Sequence, residues 1–253
     1  MAKQKTGTWE WASRTFNSVA GCQHSCRYCY ACAMAVHYRK FDPAKWRSQV
    51  LVEKMHERKF RKGREMVMYP SAHDIIPEYL PHHLAFIKKL LEAYPRVLLV
   101  TKPHLESIKG ICEAFGADRE RILFRFTIGS TSDATLSFWE PNAPSFGERL
   151  DCLKLAHSLG FGTSVSCEPM LDDRVEDVIQ AVSPYVNETI WLGKVNRFKH
   201  RLALNGHSDP ETLAEADQLI GWQSDANILA LYQRLKDNPM IRWKDSIRKV
   251  VER

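Results

Sequence analysis

No apolar run in this chain approaches the roughly 18 residues that a membrane-spanning helix requires. Its opening, Met1-Ala-Lys-Gln-Lys-Thr-Gly-Thr-Trp-Glu10, lacks the apolar stretch of a secretory leader. A cytoplasmic protein with no membrane partner is therefore expected. Repeats and low-complexity tracts are missing as well, which excludes solenoids and biased linkers. The 7 cysteines do not suit a disulfide framework in a chain this long; in a reducing compartment, clustered cysteines read as metal ligands. Acidic residues are scarce at the start. Residues 1–64 hold 4 Asp and Glu against 14 Lys and Arg, whereas the rest of the chain holds 26 against 22. The basic residues are densest from Lys54 to Arg64. That run reads either as a solvated face or as a docking patch for a polyanion or an acidic electron donor.

What is present suits one large α/β domain, with or without a small appendage. Hydrophobic residues make up 44% and charged residues 26% of the 253 positions, enough for a sizeable core. From Phe16 to Asn196, short apolar runs alternate with amphipathic segments, the pattern of βα units around a parallel sheet. The runs predict strands at 15–19, 65–69, 96–101, 121–128, 162–168 and 188–194. Helices are predicted at about 31–39, 43–60, 80–93, 104–116, 144–159 and 173–183. Leu80, Leu84, Ile87 and Leu91 form the apolar stripe of one of them. Pro103 and Pro144 suit first-turn positions, and Gly160 suits a helix stop. Six such units make a partial (β/α)6 barrel, open on one side. The tail reads as helical, so the chain divides into a core at 1–206 and a mostly helical extension at 207–253 packed on it.

Two strands carry chemistry on one face. Ile122, Phe124, Phe126 and Ile128 share one side by the two-residue period, and Leu123, Arg125 and Thr127 share the other. Ser164, Ser166 and Glu168 likewise share a face. A closed eight-stranded barrel fills its middle with branched apolar side chains. Polar interior faces instead predict a wet interior that holds a polar ligand.

Cys22, Cys26 and Cys29 stand in a C-x3-C-x2-C pattern just after the first predicted strand, where α/β barrels place their chemistry. Gly21 allows a tight turn ahead of them. A [4Fe–4S] cluster normally takes four thiolates. Three leave one iron open to a ligand that the protein does not supply. Cys32 extends the run and keeps a structural zinc site of Cys22, Cys26, Cys29 and Cys32 open, although four ligands within eleven residues depart from the usual two separated pairs. A ferredoxin-like run would need a C-x3-C-P ending that is not here. Cys112, Cys152 and Cys167 read as small buried apolar residues.

With Tyr28 at the aromatic position of C-x3-C-x-φ-C, where φ is aromatic, this loop resembles that of the radical S-adenosylmethionine (SAM) enzymes. Val100-Thr-Lys102, Phe138-Trp-Glu-Pro-Asn-Ala-Pro-Ser-Phe-Gly-Glu-Arg149 and Gly160-Phe-Gly-Thr-Ser-Val-Ser-Cys-Glu-Pro169 extend the resemblance to the spore photoproduct lyase-like branch, over roughly residues 14–200. The cysteine motif is highly specific for the superfamily; the later motifs are moderately specific for the branch. The resemblance implies a [4Fe–4S] cluster on Cys22, Cys26 and Cys29 with SAM on the open iron. It also implies reductive cleavage of SAM to a 5′-deoxyadenosyl radical, hydrogen abstraction from a substrate, and an electron donor such as flavodoxin or ferredoxin. Tyr28 would shield the cluster, Lys102 would pair with the SAM carboxylate as a point charge, and Ser71, Asp74, Thr127 and Ser166 would contact SAM.

Among the histidines near this end (His24, His73, His82 and His83), His73 is the catalytic candidate, because its loop faces the SAM position. Glu168 and Lys194 join it, because residues at C-terminal strand ends meet substrate. A buried ion pair between Glu168 and Arg125 is the bland alternative. Arg125 and Asn196 are assigned to substrate. The photoproduct lyases carry a cysteine in the loop after the second strand, near the position of Ala72, so repair of the spore thymine dimer by that route is not expected here. The expected substrate is a nucleic acid base or nucleotide, reached by extrusion if it lies in a duplex. A peptide, protein or small metabolite is the alternative. A non-catalytic, metal-stabilised nucleic-acid-binding module is the rival of a different class. Oligomeric state is left open.

Overall fold

A computed structural model describes residues 6–252; the charged opening Met1–Lys5, part of the stretch read above as no leader, lies outside the described residues. In chain order the first elements are β1 (Val19–Ala20), α1 (Tyr30–Arg39), β2 (Val50–Leu51), α2 (Glu53–Glu57), β3 (Met66–Tyr69), α3 (Leu80–Ala93) and β4 (Arg96–Thr101). Next come α4 (Leu105–Ala114), β5 (Ile122–Thr127), α5 (Asp133–Trp139), α6 (Phe146–Ser158), β6 (Gly162–Cys167), α7 (Val175–Val182) and β7 (Ile190–Leu192). The chain ends with α8 (Phe198–Leu204), α9 (Pro210–Trp222), α10 (Asp225–Leu235), β8 (Ile241–Trp243) and α11 (Asp245–Val251).

Six strands, β3 to β8, form one all-parallel sheet in sequence order. Each successive pair from β3 to β7 is joined through helix, as parallel pairing requires. The predicted two-residue alternation holds in β5. Ile122, Phe124, Phe126 and Ile128 pack into the main core with helix residues such as Ile87, Ile108 and Leu153, while Leu123 joins Ala12, Met68 and Leu98 in a separate small cluster. The α3 stripe also holds, with Ile87 and Leu91 buried in that core and Leu80 and Leu84 packed against it.

Sheet membership differs from the prediction at both edges. The segment 15–19 is not a regular strand of the sheet. It touches β3 through one parallel bridge, Thr15 to Met68, and then β1 turns away to pair antiparallel with β2. Polar side chains replace the ladder here: Asn17 Oδ1 accepts the Ser71 and Ala72 N–H groups at 2.8 Å, and Ser18 Oγ bonds the Tyr69 hydroxyl at 2.7 Å. The sixth strand comes instead from the tail, where Ile241 and Trp243 pair with Ile190 and Leu192. So the tail, read as helical, carries three helices and one strand. The predicted helix 43–60 is broken into a 3₁₀ turn at Pro43–Lys45, β2 and the short α2. The reason lies in the extended Val50-Leu51 pair and the Val52 N–H, which bonds the Ser18 carbonyl at 2.9 Å. Pro103 and Pro144 stand just ahead of the N-caps His104 and Ser145 rather than inside the first turn. Ser145 Oγ accepts the Glu148 N–H at 3.2 Å, which is what starts α6. Helices α5 and α8 are not among those predicted; each is 7 residues long and buries two side chains, Leu136 and Trp139 in α5 and Phe198 and Leu202 in α8.

Candidate active site

The cysteine loop joins β1 to α1 and lies over the C-terminal ends of the parallel strands. Gly21, at φ +85°, opens the loop, and its Cα lies so close to the Ser48 and Trp46 carbonyls that a side chain would collide with them. Cys29 is the N-cap of α1, its Sγ accepting the Cys32 N–H at 3.5 Å. The far side of the loop is held by α5 and by Asn205, just past α8. The Trp139 carbonyl accepts the Arg27 N–H at 2.9 Å, and Asn205 Nδ2 donates to the Arg27 and Cys29 carbonyls at 2.9 Å each.

Cys22, Cys26 and Cys29 all line one cavity of about 500 Å³, within the usual range of small-molecule sites. Cys32 does not. It is buried on α1 in a cluster with Cys22, Ala31 and Trp46, against which Cys29 also packs. Burial pushes the thiols of Cys22, Cys26 and Cys29 up, so a thiolate at any of them needs a cationic partner.

Asp74 organises the next layer. One oxygen accepts the Lys102 N–H at 2.6 Å and the Thr101 hydroxyl at 2.8 Å. The other bonds His24 Nδ1 at 2.9 Å and lies 3.6 Å from Cys22 Sγ. Burial alone would raise this carboxyl, but His24 and then Lys102 outweigh it and hold it well below the usual carboxylate range. His24 in turn meets His104 at 2.8 Å between their Nε2 atoms. The ligand-capable atoms of Cys22, His24 and Asp74 lie within 4.8 Å of one another, yet the Asp74 oxygens are already occupied by this hydrogen-bonded chain.

A buried network missed in the sequence backs Lys102. Its Nζ lies 3.7 Å from Glu140, and Glu140 is bonded by the Tyr28 hydroxyl and paired with Arg149 at 2.7 Å. Glu140 and Arg149 are both fully buried as side chains. Burial alone would lower the Lys102 amine; Cys26 and Glu140 outweigh it and raise it. With 13% of its side chain exposed, Lys102 is a cavity residue and not a solvated helix-start lysine. Glu140 and Arg149 both stand inside the Phe138–Arg149 motif, but nothing in the sequence marks them as buried or as partners.

Most of the other predicted site residues meet here. Tyr28, Ser71, His73, Asp74, Thr127, Glu168, Lys194 and Asn196 line the same cavity. His73 spends both ring nitrogens on backbone: Nε2 accepts the Ser18 N–H at 3.3 Å, and Nδ1 donates to the Asp74 carbonyl at 3.1 Å. Burial lowers it to about 4, so it is neutral at pH 7. Glu168 pairs not with Arg125 but with Lys244 at 3.2 Å, and Lys244 also binds Glu10 at 2.8 Å. No local pattern marked Lys244. It reaches the site only because β8 joins the sheet. Ser166 and Arg125 are not brought to the cavity. Ser166 is buried beneath it, and Arg125 is enclosed deeper in the barrel, 4.9 Å from the Trp11 ring and 5.3 Å from the Trp191 ring, donating to Ser164 Oγ at 3.0 Å. The barrel interior is therefore filled at that level by aromatic and cationic side chains, and the ligand space is confined to the C-terminal mouth.

No family model matches this chain. An uncharacterised protein of Methanocaldococcus jannaschii is 27% identical over 217 residues, covering 77% of this chain and 76% of that protein. A cysteine-to-alanine mutant of spore photoproduct lyase superposes with a TM-score of 0.53 at 16% identity, covering 81% of this chain and 64% of that one. The same mutant with dinucleoside spore photoproduct gives 0.51 at 16% identity and the same coverage. A tyrosine-to-phenylalanine mutant gives 0.53 at 15%, covering 83% and 66%. The chain thus spans just under two thirds of the length of these lyases, and what it shares with them is the fold: helices around an open, parallel six-stranded sheet. No helix among the described residues is long and apolar enough to cross a membrane.

Proposed function

We propose that this chain is a radical SAM enzyme, with a [4Fe–4S] cluster on Cys22, Cys26 and Cys29 and a nucleic acid base or nucleotide as substrate. The observation that carries the reading is the convergence of those three thiols, without Cys32, on one cavity at the C-terminal mouth of a parallel sheet. The donor set fits the group: two buried thiols and the half-buried Cys29 on one short loop, each raised by desolvation, suit a cationic centre and leave it a non-protein position. When bound, the cluster and SAM supply reductive cleavage of a C–S bond and a 5′-deoxyadenosyl radical that takes hydrogen from the substrate.

The chain's own residues position and exclude. Lys102 offers an ammonium for a carboxylate, held ready by Glu140 and Arg149. Asp74 fixes the Lys102 backbone and the His24 ring against the cysteine loop. Tyr28 stacks near Phe198, at 5.9 Å between ring centres, and closes the loop's inner side to water. The substrate class is supported by the basic N-terminal quarter and by the fold neighbour solved with a dinucleoside spore photoproduct. Ala72 in place of a loop cysteine separates this chain from thymine-dimer repair by that residue.

Anaerobic reconstitution followed by dithionite and SAM tests the reading. Release of 5′-deoxyadenosine and methionine is expected, and its absence at full iron loading overturns it. A colourless protein that purifies with zinc and ignores SAM selects the metal-stabilised binding module instead. A salt-sensitive shift of DNA or RNA in a gel supports the substrate class; no shift at low salt turns the assignment to a peptide, protein or small metabolite.

A further inference from the structure

We infer that Trp9 is a stacking platform at this cavity and that, together with Arg201, it selects a planar ring carrying an anionic group, one nucleotide unit of the substrate. The inference rests on the nucleic-acid reading above and deepens it.

Trp9 is 55% exposed yet lines the cavity. An indole left in water forfeits its burial energy, so an exposed one on a concave site, carried by a fixed turn, marks a binding surface. The turn that carries it, Gly7–Glu10, is pinned on both sides of Trp9. Lys244 Nζ donates to the Gly7 carbonyl at 2.7 Å and pairs with Glu10 at 2.8 Å. Glu10 is 3% exposed as a side chain and also accepts from Arg248 at 2.8 Å and the Asp245 N–H at 3.0 Å. Four contacts to Lys244 and α11 therefore fix this turn. A platform fixed before binding loses little entropy when a ring settles on it.

The charges on the cavity wall point to the second half of the ligand. Lys102, Lys194, Lys244 and Lys249 are each engaged by a carboxylate, of Glu140, Asp225, Glu10 and Asp245 respectively. Arg201 lines the same cavity, lies 6.0 Å from the Tyr30 ring, and makes no ion pair among the described residues. The acid that faces it, Glu168, is paired with Lys244 instead, and a guanidinium with no direct carboxylate contact suits a phosphate, which it binds through two parallel N–H groups.

The test is fluorescence anisotropy on the full-length, anaerobically purified protein. Probes are a labelled single-stranded oligothymidylate and an abasic strand of equal length. Trp9→Ala is expected to weaken thymidylate binding roughly tenfold, as loss of one base–aromatic stack does, and to leave the abasic strand unchanged. Trp9→Phe should keep most of the affinity, and Arg201→Gln should weaken both strands. Thymidine monophosphate as competitor distinguishes the sources: competition at comparable concentration identifies a free nucleotide, and none identifies the polymer. The proposal is overturned if the native protein does not prefer thymidylate to the abasic strand, or if Trp9→Ala binds thymidylate as the native protein does. The 5′-deoxyadenosine assay is scored separately, so a native protein that forms the radical but shows no Trp9-dependent preference for thymidylate sinks this inference alone.

Discussion

Glu140 carries more of the site than any residue the motif analysis singled out. It is the one buried group that joins Tyr28, Lys102 and Arg149, and hence the cysteine loop, the end of β4 and the start of α6. Burial alone would raise its carboxyl; Arg149 and then Lys102 outweigh that and hold it below the usual value of 4.5. A depressed carboxyl contributes stability that is complete above its unfolded value and drains away as pH falls through the folded one. Glu140→Gln is expected to cost about 3–5 kcal/mol, because Arg149 is then buried without a counter-charge. Urea titrations at pH 7 and at pH 4 check this: the variant's deficit should shrink at the lower pH. A Glu140→Gln/Arg149→Met double variant should recover part of the loss. At this scale the cysteines and Lys102 were legible from spacing and motif. The partners of Lys102 were not, since nothing local says that Glu140 and Arg149 face each other.

Among the elements, the C-terminal end of α8 acts as the clamp of the cysteine loop through Asn205. Asn205→Ala orphans the Arg27 and Cys29 carbonyls and is expected to cost about 1–3 kcal/mol. Under the cluster reading it should also lower iron retained after gel filtration; unchanged iron and melting temperature would refute the clamp. Gly21→Ala should be more damaging, since its Cβ would meet the Ser48 oxygen at 2.7 Å and the Trp46 oxygen at 2.8 Å in a backbone held at φ +85°. Loss of about 2 kcal/mol or more in thermal unfolding is expected. The helices that pack on the sheet announced themselves by period, because a buried stripe must repeat every three to four residues. The helix predicted over 43–60 forms only as the short α2, because the Val50-Leu51 pairing with β1 is a tertiary contact that outweighs local periodicity.

For the molecule as a whole, the barrel is completed by its own tail. Lys244 at the end of β8 ties Glu168, Glu10 and the Gly7 carbonyl together, so residues more than 230 positions apart form one wall of the cavity. We expect a chain truncated after residue 206 to be poorly soluble, since it bares the β7 edge and the apolar faces of Ile190 and Leu192. Expression of 1–206 beside the full chain, followed by size-exclusion chromatography, checks this; a monodisperse, folded fragment would show that the tail is an appendage. Lys244→Met is the milder probe. Burial raises the Glu168 carboxyl and Lys244 opposes that rise, so removing the ammonium should raise it further. An upward shift of Glu168 in a carboxylate-resolved NMR titration is the expected result.

The amino-acid sequence by itself determined the parallel βα architecture, the two faces of β5, and the three-cysteine loop at the sheet's C-terminal end. These follow from periods of two and of three to four residues and from the spacing of ligands along a short segment, all local properties of the chain. Tertiary structure alone decided which strand closes each edge, that Cys32 turns into an apolar cluster, that Arg125 is sealed between tryptophans, and that Trp9 and Lys244 share a cavity with the cysteines. Such choices depend on which distant groups can satisfy a buried charge or an open sheet edge, and no stretch of sequence holds both partners.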